Sequence, residues 1–182
     1  MQKRFTHLLL LFWLVVGLGC VTAPDIAPTI KPSDPSVFTQ SKELIENLHI
    51  NQKELLRIYQ NIRLISEGHF FYGSDEQLNT IQKSSLYLLL SNRTAHHQWE
   101  VLSIMEFIHS DHKKDYISFL IKGLRQAVFN SAYDLNFLNT YYAFIENQDA
   151  REHIDRAVAL IRANMDLYKR LMAILKSSNN LN

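Results

Sequence analysis

The chain has 182 residues, 19 Lys+Arg against 18 Asp+Glu for a formal net charge of +1, and 47% hydrophobic residues. One domain is the default at that length, and the chain is long enough to bury a sizeable core. The near-neutral balance argues against a basic nucleic-acid binder. The apolar content excludes wholesale disorder, and a single Cys excludes an intramolecular disulfide and any Cys-rich zinc or haem-attachment motif.

At the N-terminus, Lys3 and Arg4 precede an uncharged apolar run over residues 8–19 (LLLLFWLVVGLG) that ends at Cys20. This is the layout of a secretory signal peptide, because about twelve apolar residues suit its central region whereas a bilayer span needs about 20. An uncleaved anchor, stretched over residues 5–23, is the competing reading. Gly17-Leu18-Gly19-Cys20 resembles the cleavage region of a bacterial lipoprotein precursor, with Gly19 as the small residue before the lipid-bearing cysteine. That family usually has Leu three residues before the Cys and a small residue two before, so here the pattern stands shifted by one. A cut after Ala23 would put Pro24 on the far side, which signal peptidases tolerate badly. The resemblance covers the leader and Cys20 only. It implies removal of residues 1–19 and fatty acyl chains such as palmitate on Cys20. It also implies the outer membrane facing the periplasm, since Val21 is not the Asp that marks inner-membrane retention. Each buried CH₂ of an acyl chain contributes about 0.8 kcal/mol to anchoring.

All four prolines, Pro24, Pro28, Pro32 and Pro35, lie in one short stretch among small, polar and β-branched residues. Residues 20–37 therefore read as a lipidated cysteine followed by an extended tether. At about 3.1 Å per residue it reaches roughly 50 Å.

From Ser36 onward there is no proline and only Gly68, Gly73 and Gly123, too little turn punctuation for a sheet protein. Helical periodicity agrees. The first helix runs over about 39–67 on Leu44, Leu48, Leu55, Ile58, Ile62 and Ile65, with Asn51 interrupting the stripe and Gly68 closing it. Ser74-Asp75-Glu76-Gln77 reads as a capping box for the second. That helix carries Leu78, Ile81, Leu86, Leu89 and Leu90, then Val101, Ile104, Met105 and Ile108. The polar stretch 91–98 (SNRTAHHQ) is a candidate kink or break. Asp111 can cap the third helix, with its stripe Ile117, Leu120, Leu124, Val128, Ser131, Leu135, Leu138, Tyr142 and Ile145. Asp149 and Glu152 suit the start of the fourth, which carries Ile154, Val158, Ile161, Met165, Tyr168, Met172 and Leu175. The expectation is all-α: an up-down-up-down antiparallel bundle of four long helices over 38–177, or five if the second breaks, with a polar tail at 178–182.

Two Glu-x-x-His pairs, Glu46/His49 and Glu106/His109, have the spacing that carboxylate-bridged metal bundles use. They lie on consecutive helices and Glu46 and His49 face outward, so surface residues are the better reading. His112, near Asp111 and Asp115, is a further weak zinc candidate. His96 and His97 point in different directions on a helix. No nucleophile elbow, phosphate-cradling glycine loop or acid–base pair is present, so neither an enzyme nor a cofactor is expected. Asn92-Arg93-Thr94 matches a glycosylation sequon that has no meaning in a bacterial source.

Two aromatic groups remain as partner-binding candidates. Phe70, Phe71 and Tyr72 lie in the first connection, where they either cap the open end of the bundle or anchor a partner. Phe129, Tyr133, Phe137 and Phe144 form a second row on the third helix, opposite its core stripe. Such a helix is either covered by a fifth element or meets a partner, a second copy or an apolar ligand. The expected function is a lipid-anchored envelope protein, held to the membrane through Cys20, whose periplasmic bundle is a protein-interaction or scaffold module. The alternative is a binding protein or metal carrier holding an apolar or metal ligand in the bundle.

Overall fold

The computed structural model describes residues 35–72, 74–108 and 112–179, with side chains for 39–68, 74–108 and 112–178. Residues 1–34, and with them the leader, Cys20 and most of the tether, lie outside this range. The described chain is helical apart from short connections: α1 (Pro35–Tyr72), α2 (Asp75–Ser103), a 3-10 turn (Met105–Phe107), α3 (Lys113–Tyr142) and α4 (Gln148–Asn179). Each helix packs antiparallel against the next, and α4 closes the ring against α1, giving a four-helix bundle. None of the described helices is long and apolar enough to cross a membrane.

Several boundaries differ from the sequence reading. Pro35 is inside α1, at its start, where the missing N–H and fixed φ cost nothing. At its other end α1 continues through Gly68, which has an ordinary helical backbone, as far as Tyr72. Phe70, Phe71 and Tyr72 therefore belong to the last turn of α1 rather than to a connection. The stretch 91–98 does not break α2, so the count is four helices. The chain leaves α2 only at Ile104, in the 3-10 turn. α4 likewise runs beyond 177, with Ser178 buried.

Caps fix the ends. Ser74 accepts from the Gln77 N–H at 3.3 Å, but the Gln77 side chain does not fold back to complete a box. It reaches across the bundle instead, donating to the Phe144 carbonyl at 2.7 Å and accepting from the Glu146 N–H at 3.0 Å. The start of α2 is thereby tied to the α3–α4 connection. α4 is capped by Asn147, whose Oδ1 accepts from the Ala150 N–H at 2.8 Å, and not by Asp149. Asp149 and Glu152 lie in its first turns, where negative charge suits the helix dipole.

Two apolar cores stack along the bundle. One gathers Leu48, Ala95, Leu102, Leu120, Leu124, Tyr168 and Leu171. The other gathers Leu55, Ile58, Ile81, Leu88, Leu138, Ile154 and Ile161. Between them every helix contributes a polar group. Asn51 Nδ2 donates to Asn164 Oδ1 at 2.8 Å. Asn92 Nδ2 donates to the Gln52 carbonyl at 2.7 Å, which places the sequon asparagine in the interior. Ser91 Oγ donates to Asp134 Oδ2 at 2.7 Å, and Ser131 is buried beside this level. The SNRTAHHQ stretch is thus the α2 share of a polar belt.

The belt explains why the α2 stripe was misread. Its inward positions are Gln77, Ile81, Ser84, Leu88, Ser91, Ala95, Gln98 and Leu102, alternating four- and three-residue steps, all buried. Half of them are polar. Leu86 and Leu90, which the apolar pattern placed inward, are exposed. On α3 the same register puts Ala127 and Asp134 inward, with Val128 and Leu135 only partly buried.

Candidate interaction surface

The outer side of α3 carries large side chains in water. Phe129 is 65% exposed and Tyr133 52%, and Phe119 is exposed nearly three turns nearer the start of the helix. Phe144, 59% exposed, stands just beyond the end of α3 at Tyr142 rather than in its row. Among the described residues no fifth element covers them. Phe137 differs from its row, being half-buried against Tyr87 of α2 with ring centroids 4.7 Å apart and planes at 10°.

Tyr87 makes this surface a cluster. It also meets Tyr133 at 6.4 Å and Tyr141 at 6.0 Å, while Tyr133 and Phe137 tilt together at 4.7 Å. Lys83 lies over the Tyr141 ring at 5.5 Å. Burial and the neighbouring Tyr133 hold the Tyr87 phenol above its usual range. Sequence reasoning missed Tyr87, Tyr141 and Lys83. The available signal was Tyr87 inside the leucine run 86–90, one turn before Ser91. Seeing it requires the antiparallel register of α2 against α3.

Directly beneath lies the one buried carboxylate of the belt. Asp134 is 3% exposed, and its described partner is the neutral Ser91 hydroxyl. Burial pushes its pKa up, opposed by the Ser91 hydrogen bond. Geometry gives it a structural place, since it points into the bundle and away from the aromatic surface.

The metal candidates do not converge. Glu46 is exposed, and His49 is half-buried with its ring stacked on Trp99 at 4.0 Å. His49 is thus held against α2 rather than standing free on the outer face. Glu106 and His112 are exposed on either side of residues 109–111, which lie outside the described range together with His109 and Asp111. His96 pairs with Glu100 at 3.2 Å and His97 is exposed. Among the described residues no group of three His, Cys, Asp or Glu could hold a metal.

Two clefts complete the surface. One of about 410 Å³ lies between α1 and α4, lined by Asn61, Leu64, Ile65, Asp149, Glu152 and Arg156. A smaller one of about 260 Å³ lies between α1 and α2, beside Lys42, Glu46 and Trp99. Both are open to solvent; the first is mixed in polarity and the second mainly apolar. Near the first, Glu54 bridges Arg57 at 2.7 Å and Arg156 of α4. The Arg57 hydrogen bond holds the Glu54 carboxyl below its usual range.

Fold and surface together define a four-helix up-down bundle with an exposed aromatic face on its α2–α3 side. No protein-family model matches the chain, and comparison with curated proteins and with solved structures likewise finds no match.

Proposed function

We propose that this is a lipid-anchored cell-envelope protein whose helical bundle is a docking module, working through the aromatic face of α2 and α3. The observation that carries the docking role is the exposure of Phe119, Phe129 and Tyr133 on a helix whose opposite side already fills the core, with Phe144 exposed just beyond its end. Exposed large aromatics grouped on one face are what interaction surfaces present. The leader and Cys20 support acyl attachment, and Val21 supports the outer membrane facing the periplasm, by the resemblance to lipoprotein precursors. The tether would then let the bundle turn any of its faces toward what it binds.

Two measurements test the two halves. Mass spectrometry of the membrane-extracted protein should find acyl chains on Cys20, and Cys20→Ser should release the chain from the membrane fraction. A bare thiol, or equal retention of Cys20→Ser, overturns the anchoring. Phe129→Asp should leave the melting temperature unchanged while weakening attachment of the bundle face to its target. Unchanged attachment by a folded variant overturns the docking role.

A further inference from the structure

We infer that the target of this face is an anionic phospholipid surface, on which the α2–α3 side of the bundle lies flat. The inference rests on the docking reading above and adds the partner's chemistry. Charge carries it. Between Glu76 and Glu100 on α2, and from Asp115 near the start of α3 to Glu146 in the connection after it, the single intervening carboxylate is Asp134, and that one is buried. The bounding Asp115 and Glu146 are exposed at the two ends of the face. The same stretches hold Lys83, Arg93, Lys122 and Arg125, all exposed. The carboxylates of the described helices otherwise gather on α1 and α4 or at the helix ends. These include Glu43, Glu46 and Glu67 on α1, and Asp149, Asp155 and Asp166 on α4, all exposed. A chain with almost no net charge therefore offers one side that is cationic and aromatic and another that is mixed.

The interleaving favours lipid over an acidic protein. Phe119, Lys122, Arg125, Phe129 and Tyr133 follow one another along the exposed side of α3, with Leu86, Leu90 and Arg93 exposed on α2. Basic side chains set among aromatics and leucines are the pattern of a helix lying in a headgroup layer, where rings sit at the polar–apolar boundary. Protein interfaces instead deplete lysine and concentrate their anchors in a central packed patch. The aromatics here spread from Phe119 to Tyr141, about 33 Å of helix, with Phe144 just beyond its end. Neither of the clefts described above lies on this face. The chain before Pro35 is long enough to allow it, since residues 21–34 would reach about 43 Å if extended.

The test uses the full chain with Cys20→Ser, carrying one nitroxide label at Gln126→Cys on this face or at Ala163→Cys on exposed α4. Vesicles contain either phosphatidylglycerol with phosphatidylethanolamine or phosphatidylcholine alone, and only vesicle-bound molecules are read. On anionic vesicles the label at position 126 should gain accessibility to oxygen and lose accessibility to an aqueous nickel chelate, while the label at position 163 stays in water. Each basic side chain near an anionic surface raises partitioning about fivefold. Lys122→Glu with Arg125→Glu should therefore lower the lipid-contacting population about 25-fold or more, with helicity by circular dichroism unchanged. Equal water exposure of both labels on bound vesicles overturns the inference. Should the label at position 126 become immobilised with rising protein concentration and no lipid, the face meets a second copy. The docking role then survives and the lipid assignment falls. If it stays mobile in water under every condition, both fall. Acylation is read separately by mass, so its failure leaves this result standing.

Discussion

Asp134→Asn should stabilise the bundle, and the gain should depend on pH. The carboxylate is 3% exposed and accepts one described hydrogen bond, from the neutral Ser91 hydroxyl at 2.7 Å. Burial raises its folded-state pKa above the ordinary aspartate range, against the lowering effect of the Ser91 hydrogen bond. A group with a raised folded pKa binds its proton more tightly when folded, so the wild type loses stability as pH rises from the ordinary carboxylate range through that folded value. Asparagine keeps the oxygen that Ser91 donates to and removes the buried charge. An imperfectly satisfied buried polar group costs about 1–3 kcal/mol, more when charged. At about 2–4 °C per kcal/mol for a domain of about 150 residues, Asp134→Asn should therefore raise Tm by at least about 2 °C at pH 8. The difference should shrink as pH falls toward and below the ordinary carboxylate range, because the folded wild-type carboxyl takes up its proton before the unfolded one does. Thermal melts followed by circular dichroism between pH 4 and pH 8 read both effects. A variant less stable at pH 8, or a difference that does not change with pH, would refute the reasoning. It would mean that the ionised carboxylate has a stabilising partner.

Three further variants probe the packing. Gly123→Ala should stabilise by about 0.5–1 kcal/mol, seen as a higher Tm, because it restores helix propensity. The new Cβ would touch only the Gln98 side-chain amide, its oxygen at 3.4 Å and its nitrogen at 3.7 Å. Asn147→Ala removes the cap of α4 and should cost about 1 kcal/mol in chemical denaturation. Leu48→Ala, at a fully buried site in the first core, should cost about 2–5 kcal/mol by the same measurement.

What the sequence made legible follows from where its polar residues fall. On α4 the inward positions include Ile154, Ile161, Tyr168 and Leu175, large and apolar, and the periodicity exposes them. On α2 one of the two alternating inward positions is Gln77, Ser84, Ser91 or Gln98 in successive turns of the pattern. A search for apolar spacing then locks onto Leu86, Leu89 and Leu90, the wrong face. The aromatic row on α3 was visible because it stands opposite an apolar core stripe. Its continuation onto α2 was not, since which residue of α2 lies beside Phe137 is a tertiary fact. The second aromatic candidate, Phe70, Phe71 and Tyr72, is helical, and its side chains lie outside the described range.

The buried polar belt and the exposed aromatic face belong to one seam. Ser91 stands one turn beyond Tyr87 on α2, and Asp134 one turn before Phe137 on α3. The antiparallel register that lets Ser91 reach Asp134 therefore also lays Tyr87 against Phe137. A slip of α3 by one turn would leave the Asp134 carboxylate buried without its donor, a far larger penalty than shifting one apolar layer onto another. Two stacked cores of leucine and isoleucine alone would tolerate such slips, because their layers resemble each other. A buried polar contact is a recognised way to specify register at some cost in stability. Here it aligns the adjoining sides of α2 and α3, so that Lys83 reaches Tyr141. Burial makes the ionised Asp134 costly at pH 8, and the Ser91 contact that offsets part of that cost is what holds the aromatic face in register.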